Sequence, residues 1–162
     1  MTIFNTRSIT EQDITFLWDM LYESIYTPEG QEPTSKDIIN QPSISKYVDG
    51  WGKDGDVGYI AVNDLGQSVG SITIRYFNKD NKGYGYVNDD TPELGMAVRP
   101  EYRGRGIGTE LLKTLLNEVK TKGIKSISLS VDPNNPAMNL YKRFGFKEVG
   151  IEGTSITMLV NL

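Results

Sequence analysis

A chain of 162 residues with a formal net charge of −4 has the length of one domain and no bulk attraction for nucleic acid or an anionic membrane. It holds neither cysteine nor histidine, which excludes thiol nucleophiles, disulfides, the usual zinc sites and Ser-His-Asp chemistry, and leaves carboxylate, phenol, amine and backbone amide as reactive groups. The charge is uneven: residues 1–92 carry 14 acids and 7 bases, residues 93–162 carry 7 acids and 10 bases, so the second part is the one suited to an anion.

Thr10 before Glu11, Gln12 and Asp13 marks a helix start, and Ile14, Leu17, Trp18, Leu21, Tyr22 and Ile25 recur at helical spacing behind it. Pro28 to Pro33 interrupts this helix, and a second helical region is predicted from Ser35 to Val48. From Tyr59 the period falls to two. Tyr59–Val62, the turn Asn63-Asp64-Leu65-Gly66 and Val69–Phe77 read as a hairpin with Ile72, Ile74 and Tyr76 on one face. Asn78 to Thr91, rich in Asn, Asp, Gly and Lys, reads as a surface loop, and Glu93–Val98 as a strand stopped by Pro100. Ile107, Leu111, Leu112, Leu115, Leu116 and Val119 form the apolar stripe of a helix that ends near Gly123. Ile127, Leu129 and Val131 alternate with serines as a strand. Pro136 opens a short helix to about Phe144, and Phe146–Gly150 and Ser155–Val160 close the chain as strands. No repeat or linker divides the chain, which is read as one domain over 1–162. Its first residues show no basic segment followed by an apolar run, and no stretch approaches the ~20 apolar residues of a membrane span, so a cytoplasmic protein is expected.

Arg103-Gly104-Arg105-Gly106-Ile107-Gly108 lies between a strand and a helix start. Unpaired N–H groups and about half a positive charge at a helix N-terminus, with glycines that let a phosphate reach the backbone, make such a loop an anion site; alone, the string also suits a solvated turn. A Walker loop would need Gly-Lys-Ser/Thr, which is absent, and the Rossmann pattern fails at Thr109 and lacks an acid ~20 residues onward.

Arg103-x-x-Gly106-x-Gly108, with Val98-Arg99-Pro100-Glu101-Tyr102 before it, resembles the pyrophosphate signature of the GNAT N-acetyltransferase superfamily. Asn134-x-x-Ala137-x-x-Leu140-Tyr141-x-x-x-Gly145-Phe146 is similar to the later motif of that family. A further local similarity, from Tyr47-Val48-Asp49-Gly50-Trp51-Gly52 to Pro92-Glu93, resembles a bacterial subgroup. The resemblance implies an α/β (α+β) fold with a mixed central sheet of about six to seven strands, about four helices and a V-shaped coenzyme cleft. It implies acetyl-CoA as co-substrate, no metal, and direct transfer of the acetyl group to an amine. The strand around Gly95–Val98 would carry a bulge and part from Ser128–Val131, and its backbone at Met96, Ala97 and Val98 would meet the pantetheine arm. Arg103, Gly104, Arg105, Gly106, Ile107, Gly108 and Thr109 would cradle the pyrophosphate.

Tyr141 occupies the general-acid position of the family. A phenol of pKa about 10 is protonated at neutral pH and can donate to a departing thiolate of pKa ~8.5, although a helical tyrosine can also simply pack. Glu93 is the candidate base, or else a solvated strand-edge acid. Asn134 can bond the pantetheine or cap the helix, with Ala137 beside it. Tyr22, Tyr26, Trp18 and Trp51 can line an acceptor pocket, while Trp18 and Tyr22 at i and i+4 read first as core. The acidic excess of Glu23, Glu29, Glu32, Asp89, Asp90 and Glu93 points to a small cationic amine or a basic-flanked amino group. Transfer to a protein N-terminus or lysine and a non-catalytic acyl-CoA sensor are the alternatives, and the resemblance is compatible with a homodimer.

Overall fold

The structure, a computed structural model, describes residues 4–162. A seven-stranded sheet is formed by β1 (Phe4–Ser8), β2 (Val57–Asn63), β3 (Ser68–Arg75), β4 (Glu93–Val98), β5 (Ser126–Val131), β6 (Lys147–Glu152) and β7 (Ser155–Asn161), in the order β1-β2-β3-β4-β5-β7-β6. All neighbours are antiparallel except β4 and β5. The helices are α1 (Ile14–Glu23), α2 (Pro42–Ser45), α3 (Ile107–Thr121) and α4 (Ala137–Arg143). Among the described residues, no helix is long and apolar enough to cross a membrane.

Alternation along the strands sorts side chains onto the two faces of the sheet. On one face Ile72, Ile74, Leu94, Ile127 and Leu129 pack with the α3 stripe, Ile107, Leu111, Leu112, Leu115 and Val119, in the larger core. On the other face Ile60 and Ala97 pack with Phe16, Leu17, Met20 and Val48. α3 ends as expected, with Gly123 at φ +79 and the Ile124 amide donating to the Val119 carbonyl at 3.2 Å.

Several expectations are corrected. β1 has no counterpart in the sequence reading: Phe4-Asn5-Thr6-Arg7-Ser8 has one large apolar residue and becomes a strand by pairing with β2 from Phe4↔Asn63 to Ser8↔Tyr59. The second helical region breaks into a 3-10 turn at Lys36–Asn40 and the four-residue α2, because Gln41 is extended before Pro42. The buried face of α1 centres on Phe16, Leu17 and Met20, so Trp18 and Leu21 flank it, and Tyr22 is half-buried on the cleft with its hydroxyl donating to the Thr34 carbonyl at 2.5 Å. Tyr76 lies beyond β3 and is exposed.

Arg75 holds the long 46–56 segment against the sheet. Buried on β3, it forms a bidentate pair with Asp56 at 3.0 and 2.9 Å, and its Nη1 donates to the Lys46 and Asp49 carbonyls at 2.8 and 2.7 Å. Trp51 stacks under the guanidinium at 5.4 Å. Removing one partner of a buried pair leaves the other charge uncompensated. Arg75→Ala is therefore expected to cost about 3–5 kcal/mol in chemical denaturation. An unchanged midpoint and slope would show that the staple contributes nothing.

Candidate active site

β4 is a strand with two different edges. Toward β3 the ladder runs without interruption from Gly70↔Val98 to Arg75↔Glu93. Toward β5 it is joined by one pair, Glu93↔Ser128, with the Ser128 amide donating to the Pro92 carbonyl at 3.0 Å. Beyond that pair nothing joins Gly95–Val98 to Leu129–Val131, and the strands part. The expected bulge is absent: register shifts occur at Ala61/Val62 and Glu148/Gly150, not in β4. The parting is held by packing instead. A Cβ on Gly108, at the start of α3, would touch Met96 of β4 and Leu140 of α4 at 3.4 Å, so the two helices meet the edge of β4 across the gap.

The gap opens into a cleft of about 1280 Å³ that reaches both faces of the sheet. At one end lie Gly104, Gly106, Ile107, Gly108 and Thr109. Gly104 and Gly106 have φ of +76 and +83, where a Cβ is strained, and no atom crowds either position. The first intrahelical hydrogen bond is Glu110 N to Gly106 O at 3.1 Å, so the amides of Ile107, Gly108 and Thr109 precede it and remain free for an anion. These open glycines and unpaired donors fit a pyrophosphate.

The arginines behave differently from the sequence expectation. Arg103 lines the cleft, but its guanidinium donates to the Val98 carbonyl at 3.2 Å and meets the Glu23 carboxylate at 3.4 Å, tying the loop to β4 and α1. Arg105 is turned away to stack on Tyr102 at 5.3 Å and does not line the cleft. Asn134 is also outside. Its amide is held by Asp132 Oδ1 at 2.8 Å and its side chain is exposed, whereas Asn135 lines the cleft and accepts from the Ala137 amide at 3.0 Å.

Met96, Ala97, Val98, Ala137 and Tyr141 line the middle of the cleft. Tyr141 is buried and packs edge-on against Phe146 with centroids 5.8 Å apart, and no hydrogen bond contributes to the shift of its hydroxyl. Burial pushes its pKa above the ordinary phenol value, so it stays protonated. Glu93 lines the same cleft at only 4% exposure. It is neither solvated nor orphaned: Tyr47 donates to its Oε2 at 2.5 Å and the Gly85 amide to its Oε1 at 3.0 Å. Burial lifts its pKa to about 7, against the pull of those two donors and of the Lys46 charge.

The far end is walled by Tyr22, Tyr26, Ile44, Tyr47, Thr73 and Tyr84. Trp18 packs against the smaller core and Trp51 lies under Arg75, so neither tryptophan joins this wall. Of the acids counted in the sequence, Glu23 and Glu93 reach the cleft. Glu29, Glu32, Asp89 and Asp90 lie outside it, and the Asp89 carboxylate is taken by the Tyr86 hydroxyl and the Lys79 amide.

Residues 17–146 match the family model described as Acetyltransferase (GNAT) family. The chain belongs to the GNAT acetyltransferases. It is 30% identical over 121 residues to a putative ribosomal protein bS18-alanine N-acetyltransferase of Bacillus subtilis, covering 71% of this chain and 76% of the relative. A shorter match, 42% identical over 53 residues, covers 32% of this chain and 31% of a thialysine N-epsilon-acetyltransferase of Bos taurus. Among solved structures, the PaiA N-acetyltransferase of Thermoplasma acidophilum in complex with coenzyme A superposes with a TM-score of 0.64 at 22% identity, covering 98% of this chain and 99% of that one. The sheet of seven strands with four helices is the GNAT fold, and the protein is an N-acetyltransferase of that family.

For this GNAT enzyme, the glycine loop and the arginines can be separated by measurement. Gly106→Asp, which puts a carboxylate beside the free amides, is expected to weaken coenzyme A binding by ~10-fold or more, and Arg105→Ala to change it by less than about threefold. Calorimetry giving the reverse order would show that the Arg105 guanidinium, not the helix N-terminus, holds the phosphates.

Proposed function

We propose that this GNAT enzyme transfers an acetyl group from acetyl-CoA directly to a primary amine, with Glu93 taking the proton of the amine and Tyr141 donating one to the departing thiolate. One observation carries the reading. The free phenol of Tyr141 and the buried carboxylate of Glu93 line the same cleft, which the parting of β4 and β5 opens to both faces of the sheet. Acetyl-CoA supplies the activated acetyl group when bound. The chain binds it through the amides of Ile107, Gly108 and Thr109 and orients its arm along the unpaired edge of Gly95–Val98. With no cysteine, and no histidine to activate a serine, direct transfer needs no acyl-enzyme.

Glu93 at about 7 is balanced between its two forms at neutral pH, which suits a group that must take a proton and give it up again. Because the charged form is the base, activity falls as pH drops below about 7 and levels off above it. Glu93→Gln is expected to abolish this acidic limb. Tyr141→Phe is expected to lower kcat by ~10²-fold with coenzyme affinity unchanged. Equal kcat for Tyr141→Phe and the parent would return Tyr141 to packing.

For the acceptor we propose a small cationic amine. The acidic surface does not support this, since most of it lies away from the cleft; the wall does. Tyr26, Tyr47 and Tyr84 line it with aromatic side chains, the Tyr22 ring being already covered by Lys36 Nζ at 5.8 Å, and Glu93 stands beside them. The thialysine-acetylating relative, named for such an amine, fits this preference. The Bacillus subtilis relative supports a second reading, transfer to the N-terminal alanine of a protein, through the length of its match. Thiol release with polyamines, basic amino acids and alanine-initiated peptides separates the two. The first reading expects kcat/KM at least about 10-fold higher for the best small cation, and a peptide winning by that margin would replace it.

A further inference from the structure

The wall around Glu93 is built from two segments distant in sequence. Tyr47, just after α2, donates its phenol proton to Glu93 Oε2 at 2.5 Å, and its oxygen accepts the Tyr84 amide at 2.8 Å. The next amide of that loop, Gly85, donates to Glu93 Oε1 at 3.0 Å. An amide can only donate, so the Tyr84 N–H fixes the direction of the pair: the Tyr47 oxygen accepts there, and its own proton points at the carboxylate.

Both segments are held for this contact. Arg75 grips the carbonyls of Lys46 and Asp49 on either side of Tyr47 at 2.8 and 2.7 Å, and the Tyr47 ring packs edge-on against Phe77 at 5.0 Å. Lys46 Nζ donates to the Lys82 carbonyl, fastening the loop to the same segment. Gly83 makes the approach possible, since a Cβ there would lie 2.3 Å from Glu93 Oε1 and 2.8 Å from the Tyr47 oxygen. A Cβ on Gly85 would meet the backbone of Leu129 at 2.6 Å.

We propose that Tyr47 is a positioning residue for Glu93: oriented by the Tyr84 amide, its phenol donates to the charged carboxylate and keeps it placed at the cleft for the proton of the acceptor. This rests on the assignment of Glu93 as the base. The other groups facing Glu93 do not replace Tyr47. Lys46 acts through its charge, Arg75 across the β3–β4 ladder spends its donors on Asp56 and two carbonyls, and Ser128 opposite on β5 is wholly buried with its Oγ unpaired among the described residues. Burial and the neighbouring carboxylate push the Tyr47 phenol well above its ordinary range, so it remains a donor wherever the enzyme works.

The test is kcat/KM against pH for the parent, Tyr47→Phe, Glu93→Gln and the double variant, with carbon-13 NMR titration of the Glu93 carboxyl and coenzyme binding by calorimetry. A donor lost from the charged form raises the pKa, so Tyr47→Phe is expected to move the acidic limb and the NMR midpoint up by about one pH unit. The rate should return to within about threefold of the parent near pH 9, with coenzyme affinity unchanged. In the Glu93→Gln background, Tyr47→Phe should change the rate by less than about twofold, because it acts through the missing carboxylate. Gly83→Ala keeps Tyr47 but drives the loop off, and is expected to move the limb in the same direction. An unmoved limb with a uniform loss at every pH, or an equal loss in the Glu93→Gln background, would overturn the role of Tyr47 alone. An acidic limb that survives Glu93→Gln would overturn the assignment of the base itself.

Discussion

The single pair between Glu93 and Ser128 is the constraint on which the site depends. A parallel strand pair of ordinary length would close the sheet, bury its backbone donors and leave no passage between the faces. Here β4 is secured along its other edge by the whole ladder to β3, so it can lose its partner on the β5 side without losing its place. β5 is secured in the same manner by β7, from Ser126↔Asn161 to Val131↔Ile156. Each strand is thus rigid on its outer edge and free on its inner one. The gap is held from one face by the start of α3, where Gly108 lies against both Met96 and Leu140. No bulge is required, because the divergence is set by what packs at the open end and not by an extra residue in the ladder.

Strand alternation then assigns the chemistry to sides. Along β4, Leu94 and the partly buried Met96 and Val98 join the core beneath α3, while Ala97 joins the core beneath α1, so Glu93 shares the α1 face. The positive end of the α3 dipole and the buried carboxylate are therefore separated by the sheet and connected only through the gap. That separation keeps the anion-binding donors from neutralising the carboxylate. It also gives Arg103 its place: it faces Glu23 at 3.4 Å, the carboxylate of α1 at the edge of the cleft.

What the sequence disclosed follows from which signals are local. The stripe of α3, the glycines of its entry loop and the alternation of Ile127, Leu129 and Val131 depend only on neighbours in the chain, and their elements were legible. β1 was not, because Phe4–Ser8 is a strand through pairing with β2 and not through its own pattern. Gly83 and Gly85 read as loop composition, yet both are buried, one against Glu93 and the other against Leu129. Nothing in Asn78–Thr91 itself marks them; a glycine needed for close approach looks like a glycine needed for a turn. The offset between Asn134 and Asn135 has a similar origin, since two adjacent asparagines before Pro136 can each accept from the chain that follows, and it is Asn135 that accepts from the Ala137 amide. Tyr47 stands out in the sequence only within a local similarity, because a partner 46 residues away leaves no trace in spacing.

A chain without histidine has to obtain a group that titrates near neutrality from a carboxylate, and burial is the means available to it. Burial alone would carry Glu93 too far, leaving it protonated and unable to accept. The donors of Tyr47 and Gly85 pull it back, and about 7 is the balance of the two effects. The same low-dielectric surroundings act on Tyr141 in the opposite functional sense, keeping a phenol with no partner firmly protonated. One physical condition, burial of the side chain by protein, thus prepares both ends of the proposed proton transfer, and the difference between them is that donors also act on Glu93 whereas burial acts alone on Tyr141. Moving Glu93 to the solvated rim would leave a carboxylate of ordinary acidity, about 4.3, too weak a base to take a proton near pH 7.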